Sequence, residues 1–291
     1  PLADAFRENF VNELNELTSF VKKLKIPCYV IGVGLKESYE PDFSQSKPQD
    51  EAVKKFVTAV LEKSNCIGVR GELTGKYLET LGFAEGRDFM VIGCPSMYMK
   101  GKRLHIQNPK LDVNSKVCFN SNVAASVPTR KFIKLKMKEF ENHYFIGQVV
   151  NELRSIYLGA PYEYKIEYNF RNVTDKIYQD GRLRFFCNVP KWMEFLNDSD
   201  LTFGSRLHGN IAAVLAGTPA LLVTKDSRTR ELAEYHHLNA IHESKLNEKL
   251  TLQDLVEQQD FTQIEKYQKQ NLDRYVAFLK KNDIPNIFMD G

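Results

Sequence analysis

The stretch "LTFGSRLHGNIAAVLAGTPALLVTKD", residues 201–226, decides how this chain folds. Its first five residues, LTFGS, read as a short buried strand. A loop holding Arg206 and His208 follows, and then an apolar helix. "TPALLVTKD" (218–226) is one more strand. Strand, helix, strand in one short run is a βαβ unit, whose two strands lie parallel with the helix covering the sheet.

The same alternation extends to both sides. Upstream, "KVCFNSN" (116–122) is a strand that enters a polar loop, 129–141 a helix, "HYFIGQVV" (143–150) a strand, and "ELRSIYLG" helix-like. Residues 171–180 are predicted helical, "LRFFCN" (183–188) is a strand, and "VPKWMEFLNDSD" (189–200) is a helix that opens with Pro190. Downstream, "SRTRELAEYHHL" (227–238) is a helix, with helices to the end. The last of these, 262–281, is long and amphipathic.

The first third repeats the theme. Helix 8–24, strand "IPCYVIGVGL" (26–35), helix 50–64, strand "CIGVRG" (66–71), helix 72–83 and strand "DFMVIGCPS" (88–96) again give a parallel, helix-covered sheet. Residues 100–115, polar and broken by Pro109, read as a linker. The expected organisation is an α/β protein with two doubly wound, Rossmann-like domains. A first domain covers 1–110, a second 111–261, and 262–291 holds the C-terminal helix. Three strands fall short of the roughly 5–6 of a free-standing sheet of this kind. That predicts further strand–helix units before Pro1, so the first domain is read as N-terminally incomplete.

Composition excludes several classes. Of 291 residues, 43% are hydrophobic and 26% charged, and 40 Lys plus Arg stand against 37 Asp plus Glu for a net charge of +3. That balance gives no electrostatic footprint for nucleic acid. No apolar run is long enough for a membrane span. The basic run "TRKFIKLKMK" (129–138) has helical apolar spacing and reads as a solvated helix face. The five cysteines, Cys28, Cys66, Cys94, Cys118 and Cys187, form no C-x-x-C pair. They read as reduced, packed thiols of a cytosolic protein, with no disulfide framework and no zinc site. "IGVG" (31–34) is too short for a dinucleotide fingerprint and has no helix directly after it, so no nicotinamide cofactor is expected.

Arg206 and His208 carry the chemistry. Open α/β sheets bind ligands beyond the carboxyl ends of their strands. Here a strand ends and an apolar helix begins, where backbone N–H groups and the helix dipole favour an anion. Arginine adds a planar charged fork for phosphate or carboxylate, and histidine a group that exchanges protons near neutral pH. Gly204 and Gly209 would let a ligand approach the backbone. Taken in isolation, an R-x-H reads first as a capping histidine beside a surface arginine.

The surrounding sequence separates these readings. "SDLTFGSRLHGNIAAVLAGTPALLVTKDSRTREL" (199–232) closely resembles the C-terminal half of the polysaccharide pyruvyltransferase family. "CIGVRGELTGKYLETLG" (66–82) and "VIGCPSMY" (91–98) resemble it more weakly, in order. The resemblance implies a glycosyltransferase-B-like fold, with two facing Rossmann-like domains and the C-terminal helix, 262–291, packing back on the first, and transfer of pyruvate from phosphoenolpyruvate onto a sugar hydroxyl pair as a ketal. It implies no cofactor beyond that donor, and a sugar, lipid-linked oligosaccharide or polysaccharide as acceptor, with the enzyme cytoplasmic or peripheral at the inner membrane face. The family's R-x-H motif matches Arg206 and His208. Its glycine-rich first strand–loop, of the G-x-x-G-D type, has no counterpart in these 291 residues.

Such chemistry needs cations for the donor's charges, an acid for C3 or the departing phosphate, and a base for the hydroxyls. Arg206 is assigned to the anion and His208 to the acid, with Ser205 and Gly209 beside them. Arg228 or Arg230, after the next strand, are candidates for the donor's second anionic group, with Ser227 or Thr229 capping that helix. Arg70, past the strand "CIGV", and Asn120 and Asn122, past strand 116–119, are further candidates. His236 and His237 read as charge stabilisers at a helix C-terminus, and His105 and His143 as structural. Two other functions fit parts of this pattern. A nucleotide-sugar glycosyltransferase would use Glu231 or Glu234 for the ribose, and a non-catalytic carbohydrate-binding protein would need none of this chemistry.

Overall fold

A computed structural model describes residues 2–106, 108–122, 124–160 and 172–288. In chain order it contains α1 (Val11–Lys23), β1 (Ile31–Val33), α2 (Asp50–Leu61), β2 (Ile67–Val69), α3 (Glu72–Thr80) and β3 (Phe89–Val91). Next come β4 (Val117–Asn120), α4 (Val127–Lys136), β5 (His143–Gly147), α5 (Val150–Leu158), α6 (Lys176–Gln179), β6 (Leu183–Phe185), α7 (Val189–Asn197), β7 (Leu201–Gly204), α8 (Leu207–Ala216) and β8 (Ala220–Thr224). The chain finishes with α9 (Ser227–His236), β9 (Ala240–His242), α10 (Leu252–Glu257) and α11 (Gln263–Lys281).

The strands form two parallel sheets, ordered β1-β2-β3 and β6-β5-β4-β7-β8-β9. The fold class is therefore α/β, as the alternation of periods required. The six-stranded order is that of a Rossmann sheet, 3-2-1-4-5-6 in its own sequence. Its reversal point lies between β4 and β7, where Asn120 pairs with Gly204.

Two compact units result. One holds the chain up to Arg103 together with Lys225–His237 and everything from Lys266 onward, and the other holds Leu104–Thr224 and Leu238–Glu265. The division falls a few residues before the expected boundary at 110, and the last segment begins a few residues after the expected 262; the larger difference is that α9 was assigned to the second domain and belongs to the first unit. Its pattern is that of any βαβ helix, so periodicity cannot say which sheet it joins.

In the first unit the core is built on Val33, Val53, Phe56, Val57, Val60, Ile67, Val69, Tyr77, Leu78 and Phe89. In the second, Phe119 meets Phe203 edge-on at 6.2 Å between ring centres, and Phe132 lies 6.0 Å from Phe203. Helix α8 is buried almost all round, from Gly209 to Leu215, which explains its apolar run from Ile211 to Ala216; its one buried polar side chain, Asn210, donates to the Gly204 and Arg206 carbonyls.

Several expectations are corrected. Strand β9 escaped notice because its apolar run is only two residues long. The helix expected over 171–180 shrinks to Lys176–Gln179, and residue 171 lies outside the described residues. Helix α4 starts earlier than expected, at Val127, because Ser126 caps it by accepting from Thr129 N. Cys187 is exposed and Cys28 half-buried, while Cys66, Cys94 and Cys118 are the packed thiols expected. Among the described residues no helix is long and apolar enough to cross a membrane.

Candidate active site

At the reversal point of the six-stranded sheet, three strand ends deliver the polar groups. Asn120 ends β4, Gln148 follows β5, and Ser205 and Arg206 follow β7. Arg206 is the N-cap residue of α8, so Leu207, His208 and Gly209 form its first turn, where backbone N–H groups have no partner within the helix.

Asn120 is buried, and its Oδ1 accepts from Arg206 N at 2.8 Å. Gly204 and Gly209 let other protein groups come close to the backbone. A Cβ on Gly204 would fall onto the Asn120 carbonyl, and one on Gly209 onto Gln148 Nε2, with Asn120 Nδ2 at 3.2 Å. Both side-chain amides therefore reach the first turn of α8. Gln148 Nε2 is buried and has no hydrogen-bond partner among the described residues. A donor left so is costly unless something accepts from it. Ser205 Oγ accepts from Asn122 N at 2.9 Å and fixes the β4 loop.

Arg206 is held from behind. Its Nε donates to the Ser121 carbonyl at 2.7 Å, and its Nη2 donates to Glu152 Oε1 at 2.8 Å. The Glu152 side chain is fully buried and that of Arg206 is 10% exposed. The other Glu152 oxygen accepts from Gln148 N and Val149 N at the start of α5. His208, one residue into the helix, is exposed.

The remaining candidates lie in the first unit. Arg70 is buried, its Nε donates to the Gly32 carbonyl at 2.6 Å, and its Nη1 has no hydrogen-bond partner among the described residues. Arg228 Nη1 lies 3.7 Å from Asp4. Arg230 is engaged by Glu234 at 2.7 Å, by the Tyr39 carbonyl at 3.2 Å and by the Tyr39 ring. Asp226 is the N-cap of α9, accepting from Thr229 N at 2.9 Å, and Thr229 completes the capping box as expected, its Oγ1 accepting from Asp226 N at 3.3 Å. Ser227 Oγ instead accepts from Glu37 N.

Glu231 is buried against α3, where it accepts from Thr74 N and Thr74 Oγ1. Burial pushes its carboxyl up to about 8 against those hydrogen bonds and the nearby Arg70. It is thus a structural clasp within the first unit, and the exposed Glu234 pairs with Arg230 through Oε1. His236 corrects another expectation. It is buried, its Nε2 accepts from Cys94 N at 2.8 Å, and burial, then Arg70, push it down to about 3. A neutral ring cannot stabilise a helix dipole by charge. His237 is the left-handed cap of α9 and stacks on Tyr267 at 3.5 Å. His105 is exposed beside Glu265, and His143 Nδ1 bonds the Phe140 carbonyl.

Sequence reasoning missed Gln148, Glu152 and Ser121. "GQVVNEL" (147–153) looks like an ordinary strand exit into a helix, with a glutamate in its first turn. Only the strand order, which sets β5 next to β4, gives those residues a role.

The polysaccharide pyruvyl transferase family model matches residues 8–227. The chain belongs to this family. It is an enzyme family, and the match takes in both the R-x-H motif and the Gln148–Glu152 turn. No curated protein matches the chain. Among solved structures the chain is similar to S. aureus MnaA in complex with UDP, at 13% identity, over 96% of this chain and 80% of that one, with a TM-score of 0.44. It is similar to Acinetobacter baumannii MurG at 12%, over 92% and 78%, with a TM-score of 0.38. The glycotransferase of kitacinnamycin follows at 9%, over 97% and 67%, with a TM-score of 0.41.

Proposed function

We propose that this pyruvyl transferase moves the pyruvyl group of phosphoenolpyruvate onto two hydroxyls of one sugar, in a polysaccharide or its precursor, as a ketal with release of phosphate. The observation that supports this reading is the donor-rich end of α8. Arg206, the amides of Asn120 and Gln148 and the first-turn N–H groups gather there, with exposed His208 beside them. An anion is what such an end attracts, and phosphoenolpyruvate offers a phosphate and a carboxylate.

In this mechanism C3 of the donor gains a proton and C2 becomes electrophilic. One sugar hydroxyl attacks C2, the C2–O bond to phosphate breaks, and the second hydroxyl closes the ring. Of the two hydroxyl protons released, one balances the new methyl hydrogen and the other leaves on phosphate. Arg206 holds the phosphate with its guanidinium, which Glu152 and the Ser121 carbonyl keep in place. His208 delivers the proton to C3 or to the departing phosphate.

Turnover in deuterium oxide tests the reading. Wild-type protein given phosphoenolpyruvate and a sugar acceptor should release phosphate and place one deuterium in the product methyl group. Phosphate or nucleotide release from a nucleotide sugar alone, with phosphoenolpyruvate untouched, would overturn it in favour of a glycosyltransferase.

A further inference from the structure

The Glu152 carboxylate has an unusual position for a helix-capping group. It is fully buried, and among the described residues it accepts from three donors in two different parts of the site. Two are the backbone N–H groups of Gln148 and Val149, which fix the turn that carries Gln148 over Gly209. The third is Nη2 of Arg206, across the sheet's reversal point. One carboxylate thus sets both the Gln148 turn and the Arg206 guanidinium. A buried charge is tolerated only when paired and fully hydrogen-bonded, so Glu152 and Arg206 fix each other. The pairing also spends part of the arginine's charge inside the protein. What Arg206 offers a ligand is then a fixed plane of N–H groups more than a free positive charge.

We infer that Glu152 is the positioning residue of the anion site: it holds the Arg206 guanidinium and the Gln148 amide in the geometry that receives the donor. This rests on the pyruvyl-transfer reading for its catalytic consequence, though not for the clamp itself. A reacting group displaced by about 1 Å can lose about 10²-fold in rate, so a comparable loss is expected when the clamp is released.

The test is a double-mutant cycle. Glu152→Gln removes the charge at nearly constant shape, and Glu152→Asp keeps the charge and withdraws it by one methylene. Each is combined with Arg206→Lys, and thermal unfolding of every variant is followed by circular dichroism. Either single Glu152 variant should lower kcat/KM for phosphoenolpyruvate by tenfold or more, on the order set by misplacement. In the Arg206→Lys background the further loss should shrink to about twofold, since the two residues act as one unit. Additive losses across the cycle would overturn the proposal, because a purely structural glutamate would weaken both backgrounds alike. A second readout needs no substrate. The guanidinium N–H signals of Arg206, identified by their disappearance in Arg206→Lys, should be protected from exchange in wild type and lose that protection in whichever Glu152 variant folds. Unchanged protection would overturn the clamp. If wild type consumes no phosphoenolpyruvate, the functional reading falls, while these signals still judge the clamp on its own.

Discussion

Arg206 and His208 differ in what holds them, and that difference separates their expected mutant phenotypes. Arg206 is anchored by Ser121 and Glu152, whereas His208 stands exposed in the first turn of α8. Replacing Arg206 with Lys keeps the charge and removes the fork, so the KM for phosphoenolpyruvate should rise by about tenfold or more, with a smaller effect on acceptor KM. An unchanged donor KM in an active enzyme would remove Arg206 from the donor site. His208→Gln should leave unfolding intact, because the residue is exposed, and lower kcat by about 10²- to 10⁴-fold; turnover at the wild-type rate would make His208 a bystander. These two residues were legible in the sequence because a cation and a histidine between glycines interrupt an otherwise apolar run. Glu152 and Gln148 were not. A glutamate in the first turn of a helix is commonplace, and only the strand order reveals what it reaches.

At the scale of an element, α9 carries two buried titratable groups five residues apart whose linkages oppose each other. Glu231 is pushed up to about 8 from an ordinary 4.5, by burial above all. The native state therefore keeps a proton that the unfolded chain has released, and stability falls as pH rises from 4.5 through 8. His236 is pushed down to about 3 from 6.5, again by burial. The native state refuses a proton that the unfolded chain takes up, and stability falls as pH drops from 6.5 through 3. Between pH 4.5 and 6.5 the two slopes cancel. From 6.5 to 8 Glu231 acts alone, and the decline should approach about 1.4 kcal/mol per pH unit. Urea unfolding of Glu231→Gln at pH 6.5 and 8 should show that decline abolished, since a neutral amide accepts from Thr74 at either pH. An undiminished slope would mean that Glu231 is ionised in the native state throughout. The helix itself was plain in the sequence, but its place in the first unit was not: amphipathic spacing shows that a face is buried and says nothing about which sheet buries it.

For the whole molecule, the same order of strands and helices that was readable in the sequence conceals how discontinuous the first unit is. It draws on three separate stretches of chain. Helix α11 supplies Phe278 and Leu279 to a cluster with Cys66 and Ile92. Asn282, just past it, accepts from the backbone N–H groups of Asn65 and Cys66 at 3.0 and 3.1 Å. Gln268 donates to the carbonyls of Met97 and Gly101. The three-stranded sheet thus reaches its native packing only when residues near 280 are available to it. Contacts of such separation cost loop-closure entropy before they give anything back, which places this unit among the slow, late-forming parts of a fold. Two outcomes should follow. A fragment of residues 1–103, lacking α9 and α11, should show no cooperative thermal transition. In the full chain, Phe278→Ala should destabilise by about 3–5 kcal/mol, the usual range for deleting a buried phenyl ring. Hydrogen exchange decides where that loss lands. Amides of β2 and β3 should lose protection well before those of β4 and β7, which belong to the other sheet. A fragment 1–103 that unfolds cooperatively would show that β1 to β3 and their own helices already make a self-sufficient core, and that α11 is an addition to the first unit and not a part of its foundation.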